Sequence, residues 1–230
     1  MKQKKILIML NLQKNLNNVL ENISRISSGN PVDLVVVTKN QPVQLINQCI
    51  SFGVNQIGEN RVQEAESKFS QLINNKIEKR MIGRLQSNKI KKAVKIFDSI
   101  DSVSRLEHLN KINANAEKEN KIQSILLQIN ISNDQNKDGF PPKIFLEKIE
   151  SIFCHNYINI KGMMTIGSLG LSEEESIKDF KKMKSFYDQV NKQLSPNKKM
   201  KTLSMGMSQD YHLAIQEGSN MVRVGGGIFG

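Results

Sequence analysis

Short apolar runs alternate with longer stretches of mixed polar and apolar residues along most of this chain. Eight runs of three to seven residues follow residue 33. Runs of this length and character are typical of strands buried in a parallel sheet. The predicted strands cover residues 34–37, 56–58, 80–83, 97–100, 125–131, 160–166, 202–205 and 221–224.

Helix-like stretches lie between the predicted strands. They cover residues 42–52, 61–76, 86–95, 103–119, 141–155, 172–194 and 209–217. A further helix, at about residues 11–27, precedes the break at Ser28-Gly29-Asn30-Pro31. Pro42 near one helix start and Gly53 after its end fit the usual termini, and Ser172 before three glutamates resembles an N-cap. Eight alternating units predict an α/β fold, a single (β/α)8 TIM barrel with an extra N-terminal helix.

An open dinucleotide-binding sheet is the alternative, but the chain lacks its glycine fingerprint. After the first strand the sequence reads Thr38-Lys39-Asn40-Gln41-Pro42, with no G-x-G-x-x-G. With 230 residues and 38% hydrophobic content, we expect one barrel domain spanning residues 1–230.

The net charge of +11 raises the question of nucleic-acid binding. Only six of the 33 basic residues are arginine, the lysines are spread along the chain, and there is no Trp to stack on bases. We therefore expect no nucleic-acid partner. No apolar stretch reaches 18 residues, so we expect no membrane span.

The cellular location follows from the N-terminus and the cysteines. The apolar run Ile6 to Leu10 faintly resembles a signal peptide but lacks a small-residue cleavage site. Cys49 and Cys154 are far apart, which favours two buried thiols over a disulfide or a metal pair. We expect a cytoplasmic protein.

The carboxyl ends of the strands are where a barrel carries its chemistry. Lys39 directly follows an apolar run, and a lysine at such a rim can act as a Schiff-base nucleophile. After the last two strands come Ser208, Arg223 and Gly225-Gly226-Gly227. Hydroxyls and glycine-rich turns there often bind phosphate, and Ile228-Phe229 predict a turn into a packed segment rather than a flexible tail.

Other candidate sites are weaker. His108 and His212 are predicted on helix surfaces and His155 at a helix end, without the spacing of metal ligands. There is no nucleophile elbow, and Glu173–Glu175 are interpreted as a helix start. We therefore expect no metal site.

Seven motifs in order resemble the pyridoxal phosphate homeostasis proteins, the YggS/PROSC group, which are similar to the N-terminal barrel of alanine racemase. The resemblance runs from about residue 30 to the end. The motifs are Val36–Lys39, Gly58–Glu64, Ile82–Lys89, Leu127–Asn130, Gly162–Ile166, Leu203–Ser208 and Met221–Gly225.

The resemblance implies pyridoxal 5′-phosphate (PLP) as the cofactor, bound as a Schiff base on Lys39. It implies that Asn60 lies beside the cofactor ring and Met164 packs near it. Ser208, Gly225 and Gly226 would hold the phosphate, and Arg223 would face the pyridine nitrogen.

Three residues depart from the family pattern. Gly226 stands where relatives have Thr, which removes one hydroxyl near the phosphate. Arg84 and Arg61 stand where relatives have His and Tyr, at the rim of the cofactor site.

Three functions remain open at this point. PLP enzymes usually secure a protonated pyridine nitrogen with a carboxylate, and an arginine cannot accept that proton. The residues therefore favour a monomeric, non-catalytic carrier with no catalytic residue, which would buffer PLP or deliver it to apo-enzymes. Tyr157, Tyr187 and Tyr211 do not fall at predicted strand ends, and no second domain is expected to supply a base. A weak amino-acid racemase and a phosphate-binding barrel enzyme without PLP are the alternatives.

Overall fold

Eight strands close into a parallel barrel in the computed structural model, which describes residues 2–74, 76–167 and 170–230 and side chains from Met9 onward. The strands are β1 (Asp33–Val37), β2 (Gln56–Glu59), β3 (Glu78–Met81), β4 (Ser99–Val103), β5 (Gln123–Gln128), β6 (Ile158–Met164), β7 (Thr202–Ser204) and β8 (Met221–Val224). Each strand pairs with the next, and β8 pairs with β1 to complete the circle. The predicted TIM barrel is confirmed.

Helices connect the strands around the outside of the barrel. They are α1 (Lys2–Ser27), α2 (Val43–Ser51), α3 (Val62–Phe69), α4 (Ile90–Ile96), α5 (Leu106–Lys118), α6 (Pro142–Glu147), α7 (Ile149–Ile152), α8 (Glu173–Gln193), α9 (Tyr211–Gln216) and α10 (Gly226–Phe229). The predicted helix at 141–155 is two short helices, broken at Lys148, where φ is −110° and ψ is 11°. The cap at Ser172 is confirmed as a reciprocal capping box with Glu175.

The predicted N-terminal helix exists but is longer than expected, since it begins at Lys2. Its buried residues Leu12, Leu16, Val19 and Ile23 recur every three or four positions, so they share one face. That face packs on the β1–β8 wall and on Ile228 of α10. The helix therefore supports the C-terminal segment from behind.

Several predicted strand bounds were two or three residues off, at β5 and β6 as well as at two strands whose side chains place charges in the barrel interior. The prediction of 80–83 was two residues late for β3, and 97–100 was two residues early for β4. Arg80 of β3 donates to both carboxylate oxygens of Asp101 of β4, at 3.0 and 2.8 Å, and both side chains are buried. Charged residues at interior positions break the apolar pattern on which strand prediction relies.

Two predictions of side-chain exposure were wrong. His108 was expected on a helix surface, but it is 1% exposed and its Nε2 lies 3.2 Å from Ser87 Oγ. His108, Ile112 and Ala116 follow one another at intervals of four residues, so all three lie on the inner, buried face of α5. Cys154 was expected to be buried but is exposed in the loop before β6, whereas Cys49 is buried as predicted.

Gly162 lies at an irregularity of β6. Ile125 of β5 pairs with Ile160 but the next residue, Leu126, pairs with Gly162, so β6 carries one extra residue. A Cβ on Gly162 would lie 1.8 Å from the Thr202 carbonyl oxygen of β7. The bulge and the close β6–β7 approach require glycine here.

Two kinds of feature are absent from the described ranges. No helix there combines the length and apolar character that crossing a bilayer requires. Nor do three or more His, Cys, Asp or Glu side chains of those residues gather as metal ligands would.

We predict that Gly162→Ala destabilises the barrel by about 1–3 kcal/mol or more, because the methyl group forces β6 and β7 apart. Urea unfolding followed by circular dichroism measures the loss. Gly226→Ala is the matched control, since its Cβ would meet only Ser208 Oγ, at 3.8 Å. Equal stability of the Gly162 variant and the unmodified protein would contradict the proposed close approach.

Candidate functional site

The closure of the barrel gathers the predicted site residues at one rim. Val36 of β1 pairs with Val224 of β8, and Val37 pairs with Gly58 of β2. The residues that follow these positions are Lys39, Gly225 and Asn60. Because parallel strands end at the same edge, the β8, β1 and β2 ends present these three residues side by side.

Lys39 lies in a tight turn directly after β1. Of the run expected to be buried, Val35, Val36 and Thr38 are fully buried but Val37 is half-buried, and Lys39 itself is exposed. The Gln41 amide donates to the Thr38 carbonyl at 3.1 Å, and Asn40 has a φ of 60°, which asparagine tolerates better than most residues. The amine of Lys39 is thus held on a fixed turn and is accessible to a ligand.

Asn60 follows β2, where it is half-buried, and Gly83 is packed closely against it. A Cβ on Gly83 would lie 2.4 Å from the Asn60 carbonyl oxygen and 2.8 Å from its Cβ. Only glycine allows the chain after β3 to pass so near. Gly83 therefore fixes the position of Asn60.

Ser208 and the last glycines form a small polar cradle. The Ser208 hydroxyl oxygen accepts from the amides of Gly225 and Gly227, at 3.2 and 3.3 Å. A hydroxyl that accepts two bonds still has its own proton to donate. Gly226, the first residue of α10, is exposed and has no positive φ. The predicted packed turn is confirmed, because Ile228 is fully buried behind it.

The loop after β7 holds Ser208 in place. Gly206 has a φ of +90°, and a Cβ there would lie 2.6 Å from the Cβ of Ala214. The Met207 amide donates to the Asp210 carboxylate at 2.6 Å, which tightens the turn before α9. The Gly206 carbonyl accepts from the Arg223 amide at 3.1 Å, so this loop is joined to β8.

Arg223 and Met164 lie deeper than the other predicted residues. The Arg223 guanidinium donates to Ser204 Oγ at 2.6 Å and to the Thr165 carbonyl at 2.8 Å. It is buried, and this burial lowers the pKa of the guanidinium. Met164 is fully buried in an apolar cluster with Val35, Leu126 and Met221.

The two arginine departures line a recess together with Asn60. This recess has a volume of about 700 Å³ and also contains Lys89. Arg84 pairs with Asp138 at 2.9 Å while remaining largely exposed, and Arg61 directly precedes α3. Both arginines therefore lie at the rim, as the sequence predicts.

Sequence reasoning missed a buried charged cluster beneath the Lys39 turn. Lys68 of α3 pairs with Glu59 of β2 at 2.8 Å and with Glu64 at 2.6 Å. The i, i+4 spacing of Glu64 and Lys68 was a usable signal, but it is also the pattern of an ordinary exposed helix pair. Only the docking of α3 on β2 shows that these charges are buried.

The amine, hydroxyl and guanidinium groups of these residues suit the binding of a phosphorylated aldehyde. An exposed amine can condense with the aldehyde, a hydroxyl oriented by two glycine amides can donate to a dianion, and a buried arginine can donate to a ring nitrogen. These groups lie in the turn after β1, on the loop after β7 and on β8, on one side of the barrel.

Known proteins resemble this chain in both sequence and fold. Residues 13–230 match the family model described as "Alanine racemase, N-terminal domain". The pyridoxal phosphate homeostasis protein of Haemophilus influenzae is 34% identical over 230 residues, 96% of each chain. PipY of Synechococcus elongatus PCC7942, solved with PLP bound, is 30% identical with a TM-score of 0.85, covering 95% of this chain and 100% of that one.

A more distant structure shows the barrel within a larger enzyme. Alanine racemase of Clostridium difficile 630 is 21% identical with a TM-score of 0.76, and the match covers 96% of this chain but 56% of the racemase. This likeness concerns the fold alone. By the family match and the relatives of similar length, the chain belongs to the alanine racemase N-terminal domain family, among the pyridoxal phosphate homeostasis proteins.

Proposed function

We propose that this chain binds PLP as a Schiff base on Lys39 and serves as a non-catalytic carrier or buffer in PLP homeostasis. The observation that carries the proposal is the convergence of the exposed Lys39 amine and the Ser208–glycine cradle at one rim. The aldehyde of PLP condenses with a primary amine and releases water, which is the chemistry Lys39 can offer. The relatives named for PLP homeostasis and the PLP-bound PipY support it.

We propose the following residue roles, which the family resemblance implies and the positions described above allow. Ser208 donates its hydroxyl proton to the phosphate, and the backbone at Gly225 and Gly226 lines the same cradle. Asn60 lies beside the ring, Met164 closes the apolar floor, and Arg223 donates to the pyridine nitrogen. The proposed domain is the whole chain, residues 1–230.

Arg223 and the lack of a positioned second base among the described residues together favour a carrier over a racemase, since alanine racemase shares such an arginine but adds a tyrosine base. A guanidinium only donates hydrogen bonds, so it leaves the pyridine nitrogen unprotonated and weakens the electron sink that Cα deprotonation needs. No tyrosine among the described residues is positioned as a second base. The Tyr187 hydroxyl donates to the Met200 carbonyl. Tyr157 precedes β6 and so lies at the opposite end of the barrel from the rim. Tyr211 packs with the apolar cluster beneath α1.

The wider biological setting is part of the proposal. We infer a cytoplasmic monomer that receives PLP and passes it to apo-enzymes that require it. Amine exchange at an exposed Lys39 would allow such release without any further catalytic group.

We predict that Lys39→Ala abolishes the Schiff base, because it removes the amine that directly follows β1 at the rim. After incubation with PLP and borohydride reduction, mass spectrometry should find the pyridoxyl group on Lys39 of the unmodified protein. Lys89→Ala, which alters the neighbouring recess, is the control and should keep the adduct. Modification of a different lysine in the unmodified protein would refute the assignment.

We predict that Gly226→Thr binds PLP about tenfold or more tightly, which corresponds to one added hydrogen bond to a charged group. The backbone permits the side chain, because Gly226 has no positive φ and its Cβ would lie 3.8 Å from Ser208 Oγ. Ser208→Ala should weaken PLP by a similar factor. Fluorescence titrations with PLP and pyridoxal test both variants.

Pyridoxal lacks the phosphate, so its affinity should barely change in either variant. Equal changes for PLP and pyridoxal would show that these residues do not contact the phosphate. Weaker PLP binding by a folded Gly226→Thr protein would show that the glycine is required for another reason.

We predict that the PLP-loaded protein does not exchange the Cα proton of L-alanine at an enzymatic rate. Mass spectrometry of alanine incubated in deuterated water measures this exchange directly. Exchange at the rate of ordinary enzymes, roughly 1–10³ s⁻¹, would favour the racemase function. A commercial alanine racemase under the same conditions is the positive control.

A further inference from the structure

A buried charged cluster lies directly beneath the turn that carries Lys39. We name it the Lys68 cluster, formed by Lys68, Glu59 and Glu64. The side chains of Lys68 and Glu59 are 9% and 0% exposed, and that of Glu64 is 22% exposed. Burying a charged group is costly unless it is paired, so a cluster at this depth is bound by its partners to one arrangement.

The Lys68 cluster contacts the backbone on both sides of Lys39. Lys68 Nζ donates to the Thr38 carbonyl at 2.7 Å, and Glu64 Oε1 accepts from the Asn40 amide at 2.6 Å. All three ammonium protons of Lys68 therefore have an acceptor, namely the Thr38 carbonyl and the two carboxylates. The peptide groups before and after Lys39 are both tied to α3.

A third contact joins the cluster to the end of β1. The Thr38 hydroxyl donates to Glu59 Oε1 at 2.6 Å and lies 3.2 Å from the Gly58 carbonyl oxygen. The cluster thereby links β1, β2 and α3 through side chains, beyond the strand pairing itself. This linkage fixes the direction in which the chain leaves β1.

We propose that Lys68, with Glu64 and Glu59, is a positioning residue for Lys39: it holds the Thr38–Asn40 backbone so that the Lys39 amine is presented at the barrel mouth. The inference rests on the proposed function, because it concerns the residue that attaches PLP. Lys68 acts through the backbone of its neighbours, since its ammonium protons are directed at the Thr38 carbonyl, Glu59 and Glu64.

The charge states of the two carboxylates agree with this role. Burial alone would raise the pKa of Glu64, but hydrogen bonds from Lys68 and the Asn40 amide lower it overall, so Glu64 is charged at neutral pH. Burial raises the pKa of Glu59, and its Oε2 has no hydrogen-bond partner among the described residues. The Lys68 ammonium is the cation paired with both carboxylates.

The test compares two ligands that differ at one carbon. PLP carries the aldehyde that reacts with Lys39, whereas pyridoxine 5′-phosphate has an alcohol there and forms no Schiff base. Lys68→Met should weaken PLP binding about tenfold or more, as expected for loss of charged hydrogen bonds, and change pyridoxine 5′-phosphate binding less than about twofold. In a Lys39→Ala background, Lys68→Met should have no further effect on either ligand.

Control variants separate positioning from general stability. Lys111→Met removes an exposed i, i+4 pair with Glu107, also 2.6 Å long, and should leave both affinities unchanged. Glu64→Gln keeps an oxygen for the Asn40 amide and should retain more PLP binding than Glu64→Ala. If Lys68→Met does not fold, the variants Glu64→Gln and Glu64→Ala allow the same comparison of the two ligands, because Glu64 is partly exposed.

A second readout does not involve PLP. In the apo-protein, hydrogen exchange of the Asn40 amide should be slow, and Lys68→Met or Glu64→Ala should accelerate it about tenfold or more. Equal losses for PLP and pyridoxine 5′-phosphate, or fast Asn40 exchange in the unmodified protein, would overturn the positioning role alone. Absence of any Lys39 adduct in the unmodified protein would overturn the proposed function and this role with it.

Discussion

Pairing of the last strand with the first is the constraint on which the rest of this molecule depends. The register of β8 on β1 runs from Asp33 opposite Met221 to Val36 opposite Val224. It brings the turn at Lys39 beside the glycines at the C-terminus, nearly two hundred residues later in the chain. Without this closure, the Lys39 amine and the Ser208–glycine cradle would belong to opposite edges of an open sheet.

The barrel supports its rim from two directions. From outside, α1 packs on β1, β8 and α10, and Asn15 donates to the Ile228 carbonyl at 3.2 Å. From inside, the Arg80–Asp101 pair and Arg223 fill positions that apolar residues occupy in many barrels. Removing one partner of a buried ion pair is costly, so the Arg80–Asp101 pair ties β3 to β4, and the bond from Arg223 to Ser204 ties β8 to β7 beneath the rim.

The arrangement of the rim explains how one fold can serve a carrier and an enzyme. The barrel supplies an amine, an anion cradle and an arginine, which are sufficient for holding a phosphorylated aldehyde. Proton transfer at Cα needs a positioned base as well. Among the described residues, the Tyr187 hydroxyl is bonded to the Met200 carbonyl and Tyr211 packs with the cluster beneath α1. Function therefore follows from residues placed around the site rather than from the fold.

The sequence by itself determined the barrel, the order of its elements and the family, because alternating apolar runs and short motifs are local properties. It also determined the chemical groups at the strand ends, such as Lys39 and Ser208, since each follows its strand directly. Tertiary structure alone decided that Lys68 is buried rather than on a helix surface, that His108 faces inward, and that Gly226 has room for a side chain. These properties depend on which elements pack together, and sequence spacing carries no information about the neighbours that a side chain meets across the fold.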